Sequence, residues 1–406
     1  MAFPGERSQP RGTILIANPS ADLYGSDRMA LEAARGLVSL GWRVVVTCSV
    51  DGPLVPQLRA AGAEVVILDV PVVRKSMLSA RGMLSLGRDV LTQLPRMRRL
   101  IKDEQPDVVL ANTVTLPFWT LAARSCREAV VVYVHEAEAA LSGLARTLLT
   151  APLRLANGVI FNSETSRRVS GWPGLERRDR ARVVPNGVGG PPETLAARER
   201  LDDMFHIVYV GRLSPRKGVD LVVRAAALLR DAGIEPHVEL VGSVFPGYEW
   251  YEAELRELVD ELGLAGHVRF AGFREVVWEE FAAADVAVVP SRLDESFGNV
   301  VIEALLSERP VVVADHTGLA EAASGFAAAV LVPPDDAEAL ALGLSRVHEE
   351  WTDYRRAARS DAPRARRLYG PESFHARLSQ ALAEQAFPVP SPSMKDASWS
   401  PREVLD

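Results

Sequence analysis

Hydrophobic positions along this chain come in two alternating textures. Short runs dominated by Val, Ile, Leu and Ala, most of them opened or crossed by a single polar residue, cover residues 13–17, 43–47, 64–68, 107–111, 130–134, 158–161 and 181–184. After a break they resume at 206–210, 238–241, 268–270, 286–289, 310–313 and 328–332. A run of four to six apolar residues with no polar alternation is the pattern of a strand buried on both faces. Between the runs, apolar residues recur at helical spacing: Met29, Ala33, Gly36, Leu37 and Leu40 in one segment, Phe374, Leu378 and Leu382 in another over 371–386. Apolar strands alternating with amphipathic helices predict an α/β fold of doubly wound, Rossmann-like units, each a parallel sheet with helices on both sides.

Val184-Pro-Asn-Gly-Val188 and Gly189-Gly-Pro-Pro192 interrupt the alternation. The first domain is therefore read as 1–188 and the second as 189–370, followed by the helix 371–386. Residues 387–406, rich in Pro and Ser, read as a disordered tail. A length of 406 residues suffices for two domains with separate cores. The longest apolar candidate for a bilayer span, 108–123, carries Asn112, Thr113, Thr115 and Pro117. The first ten residues lack the apolar segment of a signal peptide. Cys48 and Cys126 are isolated, so the expectation is a cytoplasmic protein with reduced thiols and no metal site. The net charge of −7 hides an asymmetry. Residues 1–186 hold 24 Lys and Arg against 17 Asp and Glu, a net +7, which leaves −14 for the rest.

Two segments carry candidate chemistry. In Pro290-Ser-Arg-Leu-Asp-Glu-Ser-Phe-Gly-Asn-Val-Val-Ile-Glu303, an apolar strand ends in a polar loop and a Gly-containing turn into a helix. Such a turn presents unpaired backbone N–H groups and the positive end of a helix dipole, which suit an anion. Ile207-Val-Tyr-Val-Gly-Arg-Leu-Ser-Pro-Arg-Lys-Gly218 places Arg212 and Lys217 on one loop after a strand. A guanidinium fork and an ammonium point charge there suit a diphosphate. Either segment alone is also compatible with an ordinary Gly-rich strand–helix turn.

Together, Gly211-Arg-Leu-Ser-Pro-Arg-Lys-Gly218, Pro290-Ser291 and the E-x7-E segment from Glu295 to Glu303 resemble glycosyltransferase family 4, the retaining GT-B enzymes. The resemblance is close over 205–325 and weaker over 12–190. It implies two facing Rossmann-like domains, the terminal helix crossing back to the first, and a nucleotide-diphosphate sugar, with UDP or GDP as the base-bearing part. Arg212 and Lys217 would hold the diphosphate with the N–H groups of Gly298, Asn299 and Val300. Glu303 would bind ribose hydroxyls and Glu295 donor-sugar hydroxyls. His135, directly after the run 130–134, matches the place of an active-site histidine, with Glu136 and Glu138 beside it. Gly211, Gly242, Phe273, Arg274 and Phe297 complete the expected donor contacts, although Phe273 reads almost equally well as core. Gly25 and Ser26 stand where family members carry a Gly-Gly pair; Tyr24 departs from that pattern, and an αL turn with a Ser/Asp helix cap is the plainer reading. No Asp-x-Asp motif is evident, so the resemblance implies no metal and no other cofactor. Bacterial members often build cell-envelope polysaccharide or glycolipid, which implies a sugar, lipid-linked or small-molecule acceptor.

Residues 74–102 contain Arg74, Lys75, Arg81, Arg88, Arg96, Arg98, Arg99 and Lys102 among Met and Leu, with Asp89 as the one acid before Asp103. This pattern fits either a peripheral contact with an anionic membrane, at its inner face, or a solvated helix face. Nucleic acid is not an expected partner, because no recognition motif accompanies the basic residues and the chain is acidic. Two other readings stay open: a nucleotide-sugar epimerase of the same fold, and a GT-B protein that binds without catalysis. A nicotinamide enzyme is disfavoured, since no G-x-G-x-x-G follows the first run.

Overall fold

The computed structural model describes residues 10–23, 25–72, 80–136, 150–170, 180–201 and 204–386. Seven strands form the first sheet: β1 (Thr13–Asn18), β2 (Arg43–Cys48), β3 (Glu64–Ile67), β4 (Val108–Ala111), β5 (Ala129–Val134), β6 (Gly158–Phe161) and β7 (Ala181–Val183). Six form the second: β8 (Phe205–Val210), β9 (Pro236–Val241), β10 (Val268–Gly272), β11 (Val286–Val289), β12 (Val311–Ala314) and β13 (Ala329–Val332). Every neighbouring pair is parallel, in the orders 3-2-1-4-5-6-7 and 10-9-8-11-12-13. The strand order therefore reverses between β1 and β4, and again between β8 and β11. Doubly wound sheets bind ligands beyond the carboxyl ends of the strands at such a reversal.

The central strands each supply two cores. Ile14, Ile16, Val44 and Val46 pack on one face of the first sheet, and Leu15, Ala17, Val109 and Ala111 on the other. In the second sheet Ile207, Tyr209 and Val238 face one core while Val208, Val241 and Ala287 face its opposite. Helices cover both faces, which is why the central strands β4, β11 and β12 read as apolar at every position.

The helix expected from the spacing of Met29 to Leu40 runs from Gly25 to Ser39. Gly25, expected in an αL turn, is instead the first described residue of that helix. Asp27 turns inward to accept from Asn18 Nδ2 at 2.8 Å and Ser20 Oγ at 2.6 Å. Tyr24 lies outside the described residues, as do 74–79, Glu138 and the expected tail 387–406.

The helix Pro371–Ala386 returns to the first domain and buries Phe374, Leu378 and Leu382 in its core. It lies so close to the helix Gly25–Ser39 that a Cβ on Gly36 would stand 2.2 Å from His375 Cδ2. The helix Ala80–Glu104 buries Met97 and Ile101 against the first sheet and exposes Arg88, Leu91, Arg96, Arg98, Arg99 and Lys102. Among the described residues no helix is long and apolar enough to cross a membrane.

Side chains join the two domains at both rims of the cleft between them. At one rim Asn162 Nδ2 donates to Ser296 Oγ at 3.0 Å, and the Ser163 hydroxyl donates to the Ser296 carbonyl. Glu321 takes the first two amides of the helix Glu164–Val169, one on each carboxylate oxygen, at 2.8 Å. At the other rim Arg28 Nη2 donates to Glu275 O at 3.0 Å, and Gln57 Nε2 donates to Glu275 Oε1 at 2.9 Å.

Candidate active site

A cavity of about 560 Å³ opens between the domains, at the carboxyl ends of β1 and β5 on one wall and of β8, β9 and β11 on the other. The second wall is built first from glycine. Gly211 and Gly242 end the neighbouring strands β8 and β9 at φ +153° and +145°, and a Cβ on Gly242 would stand 1.8 Å from Gly211 O. Two backbones thus touch where side chains would otherwise intervene, and the loop after β8 can lie low in the cleft. Tyr209 Oη donates to Arg212 O at 2.8 Å and anchors that loop. Burial holds the Tyr209 phenol well above its usual range, so it remains a donor. The Arg212 guanidinium lies on the Phe245 ring, 3.3 Å from its centroid. Lys217 closes a 3-10 turn that Gly218 ends at φ +67°, and its Nζ is 2.7 Å from Glu295 Oε1.

The backbone contact makes Gly242 a test of the loop. Gly242→Ala should lower stability by about 1–3 kcal/mol, the range for a forced extra methyl in packed surroundings. It should also displace Arg212 and so weaken nucleotide-diphosphate binding. Calorimetric titration together with urea denaturation measures both; a variant with wild-type stability and affinity would refute the packing role.

Glu295 is positioned from beneath by the helix Thr317–Ala323. Its carbonyl accepts from Gly318 N at 2.9 Å, and its N–H donates to Thr317 Oγ1 at 3.1 Å. A Cβ on Gly318 would stand 2.5 Å from Glu295 O, so this second glycine permits the approach. Gly298, at φ +114°, turns the chain into the helix Asn299–Leu306, whose first-turn amides have no partner within the helix. Asn299 and Val300 line the cavity. Phe297 and Gly298 do not: Phe297 is 3 % exposed and sits edge-on to Tyr369, and Gly298 backs onto Leu319. Packing against Tyr369 takes the Phe297 side chain away from the cavity, where a donor contact was expected. Glu303 lines the cavity; burial raises its pKa, and Arg28 on the opposite wall opposes that shift. Phe273 is not core but 53 % exposed at the rim, beside Arg274, which is 3.1 Å from Glu280.

On the first wall His135 follows β5, with its ring centroid 4.0 Å from that of Tyr133. Its Nε2 is 3.1 Å from Asn112 Oδ1, and burial pulls its pKa down to about 3. The imidazole is therefore neutral across the physiological range. Glu136 accepts from His135 N at 2.9 Å and from the Thr113 hydroxyl, and burial raises its pKa. Gly25 and Ser26 line the same wall, and a Cβ on Gly25 would meet none of the described residues within 4 Å.

The expected residues His135, Arg212, Lys217, Glu295, Glu303, Asn299, Val300, Gly25, Ser26, Gly211, Gly242, Phe273 and Arg274 therefore all border one cavity. Arg28, Asn112, Arg216 and Gly318 also shape it or its edges, and sequence reasoning gave none of them a role. Arg216 Nη2 donates to Asp294 O at 2.9 Å, tying the cationic loop to the one that carries Glu295. That link was signalled only by the position of Arg216 inside the Arg212–Lys217 segment.

Two family models match in tandem: "Glycosyltransferase Family 4" over residues 24–189 and "Glycosyl transferases group 1" over 193–364. Among curated proteins, D-inositol 3-phosphate glycosyltransferase of Geodermatophilus obscurus is 36 % identical over 205 residues, 46 % of this chain and 45 % of its own. Mannosylfructose-phosphate synthase of Agrobacterium fabrum is 31 % identical over 243 residues, 56 % of this chain and 52 % of its own. The chain thus spans about half the length of the curated relatives it matches. Among solved structures, Anabaena HepE in complex with UDP and glucose superposes with a TM-score of 0.75 at 21 % identity, covering 92 % of this chain and all of HepE. Sucrose-phosphate synthase from Thermosynechococcus elongatus gives 0.73 at 20 %, covering 91 % and 98 %. At these identities the two structures establish a shared fold.

Proposed function

This chain belongs to the family 4, group 1 glycosyltransferases of GT-B fold, and from that premise we propose that it transfers a hexosyl group, with retention, from a UDP- or GDP-sugar to a hydroxyl acceptor. The observation that carries the reading is the convergence of Arg212, Lys217, Glu295, the Asn299 and Val300 amides, Glu303 and His135 on one cavity at the switch point of the second sheet. The UDP and glucose named for HepE favour a uridine donor.

In this reading the diphosphate lies over the start of the helix Asn299–Leu306, with Arg212 and Lys217 as its cations. Glu303 takes ribose hydroxyls, and Glu295, held in place by Gly318 and Thr317, takes hydroxyls of the sugar. As the bond from the anomeric carbon to the diphosphate oxygen breaks, negative charge grows on the leaving group. Pre-positioned cations and amides stabilise that charge without reorganising. The acceptor oxygen attacks on the face the diphosphate leaves, and its proton passes to the leaving phosphate. Closure of the two walls excludes water and limits hydrolysis of the donor.

Incubation with UDP- and GDP-hexoses and a panel of hydroxyl acceptors, followed by NMR of the anomeric proton, tests the reading. The product should keep the donor's anomeric configuration, and the rate should persist in excess chelator, because the cations here are side chains. An inverted product, or activity lost to EDTA and restored by Mn²⁺, would overturn the corresponding half. An isomerised donor formed without acceptor would favour an epimerase instead.

The acceptor reading extends to cell-envelope polysaccharide or glycolipid, made at the inner face of a membrane. Its support is the exposed face of the helix Ala80–Glu104, where Leu91 is 78 % exposed among Arg88, Arg96, Arg98 and Arg99. Binding to anionic vesicles should be reversible and should weaken as salt rises. Flotation checks this; equal absence of binding to neutral and anionic vesicles at low salt would leave only a solvated face.

A further inference from the structure

A chain of buried side-chain amides runs from the first helix to the catalytic cleft. Asp27 Oδ1 accepts from Asn18 Nδ2 at 2.8 Å, Asn18 Oδ1 accepts from Asn112 Nδ2 at 2.8 Å, and Asn112 Oδ1 faces His135 Nε2 at 3.1 Å. Asp27, Asn18 and Asn112 are each no more than 1 % exposed. The chain crosses from β1 to β4, the point where the strand order of the first sheet reverses, and then passes to the end of β5.

The direction of every bond is set by backbone. Asn18 Nδ2 also donates to Ser20 O at 2.8 Å, and Asn112 Nδ2 also donates to Ser26 O at 2.9 Å. A main-chain carbonyl can only accept, so each amide must present its nitrogen to that carbonyl. Both N–H bonds of Asn112 are then spent, and only its oxygen remains for His135. An amide oxygen cannot donate, so Nε2 must carry the proton.

We propose that Asn112, held by Asn18 and Asp27, is a positioning residue that locks His135 as the neutral Nε2–H tautomer and leaves Nδ1 as a hydrogen-bond acceptor for a hydroxyl of the transferred sugar. The tautomer follows from this protein's own bonds; its role in transfer rests on the glycosyl-transfer reading above. A sugar hydroxyl that donates to Nδ1 is free to accept from another group, so the histidine selects one rotamer of that hydroxyl. An imidazolium would present N–H at both positions and lose that acceptor. Burial keeps the ring neutral, and a neutral amide as its partner adds no charge that would restore the proton. Among the described residues the titratable groups around the ring are Tyr133 on its own strand, Glu136 beside it, Asp27 at the far end of the chain, and the charges of the cavity walls, Arg28, Arg212, Lys217, Asp294, Glu295 and Glu303 among them.

The test begins on the wild-type protein labelled with ¹⁵N-histidine. The chain contains seven histidines, and the His135 signals are those missing from His135→Gln. Protonated Nε2 and unprotonated Nδ1, unchanged between pH 5 and 8, are expected; an Nδ1–H tautomer or a titrating ring overturns the proposal without any substrate. Asn112→Asp then replaces the neutral acceptor by a carboxylate, which raises the histidine's pKa. Transfer by this variant should fall about tenfold from pH 8 to pH 6, the effect of protonating a group needed in its neutral form. Over that interval wild type should show no limb from His135. Loss of stability alone would lower the variant's rate equally at both pH values. A variant whose ring titrates while its pH profile matches wild type overturns the role in transfer. Wild-type protein that moves no sugar from any nucleotide-diphosphate donor instead overturns the glycosyl-transfer reading, and the tautomer result is read independently of it.

Discussion

Arg212→Ala and Lys217→Ala should each slow sugar transfer by about 10²–10³-fold, the scale of one lost contact to charge that develops in the transition state, roughly 3–4 kcal/mol. The two losses should differ in kind. Arg212 lies flat on Phe245, so its removal takes away a guanidinium and also the surface that covers that ring. Lys217 lies 2.7 Å from Glu295, so its removal leaves a part-buried carboxylate without its cation, beside the place proposed for the leaving diphosphate. Like charge facing the diphosphate should weaken nucleotide binding as well as turnover, whereas Arg212→Lys, which keeps the charge and loses the fork, should recover part of the rate. Steady-state kinetics and nucleotide-diphosphate titration separate the two effects. Near-normal turnover in both alanine variants would remove this loop from the chemistry.

Phe374→Ala should destabilise the first domain by about 3–5 kcal/mol, the range for truncating a buried phenylalanine. Phe374 is 1 % exposed, its ring is 6.3 Å from that of Tyr133 at 22°, and Gly187 is closed against it. The residue belongs to the last helix described, yet its contacts are with strands at the other end of the chain. Hydrogen exchange should therefore show the loss in amides of β1, β4 and β5, with those of β8 and β11 much less affected. Uniform loss across both sheets would mean that the helix holds the domains together and does not complete one core.

The strands were legible because parallel strands buried on two faces leave no polar position, so Ile14 to Ala17 and Val286 to Val289 read as unbroken apolar runs. The diphosphate loop was legible because glycines and cations share a few residues of chain. Arg28 was not: it reads as an ordinary charge near a helix start, and it reaches the cleft only because the second domain brings Glu275 and Glu303 to it. Asn112 looked like a polar break in an apolar stretch, and its use depends on Asn18, 94 residues earlier. Gly318 gave no signal, since the Glu295 carbonyl that excludes a side chain there comes from another loop. Phe297 was misread for the opposite reason. Local sequence marks the turn correctly, but which residue of a turn faces the ligand is decided by packing against Tyr369. What escaped is what depends on contacts between distant segments.

The crossing of the final helix also sets an order of assembly. β7 ends at Val183, while Phe374, Leu378 and Leu382 come about 190 residues later. At a ribosomal pace of about 5–20 residues per second, that gap lasts roughly 10–40 s. During it the first seven strands are available with one trench of their core still open, beside Tyr133 and the helix Gly25–Ser39. The second sheet and its helices emerge complete within the same interval. The half of the protein made first is therefore the half finished last, and a nascent chain halted before residue 371 presents an uncovered apolar trench to whatever else is in the cell.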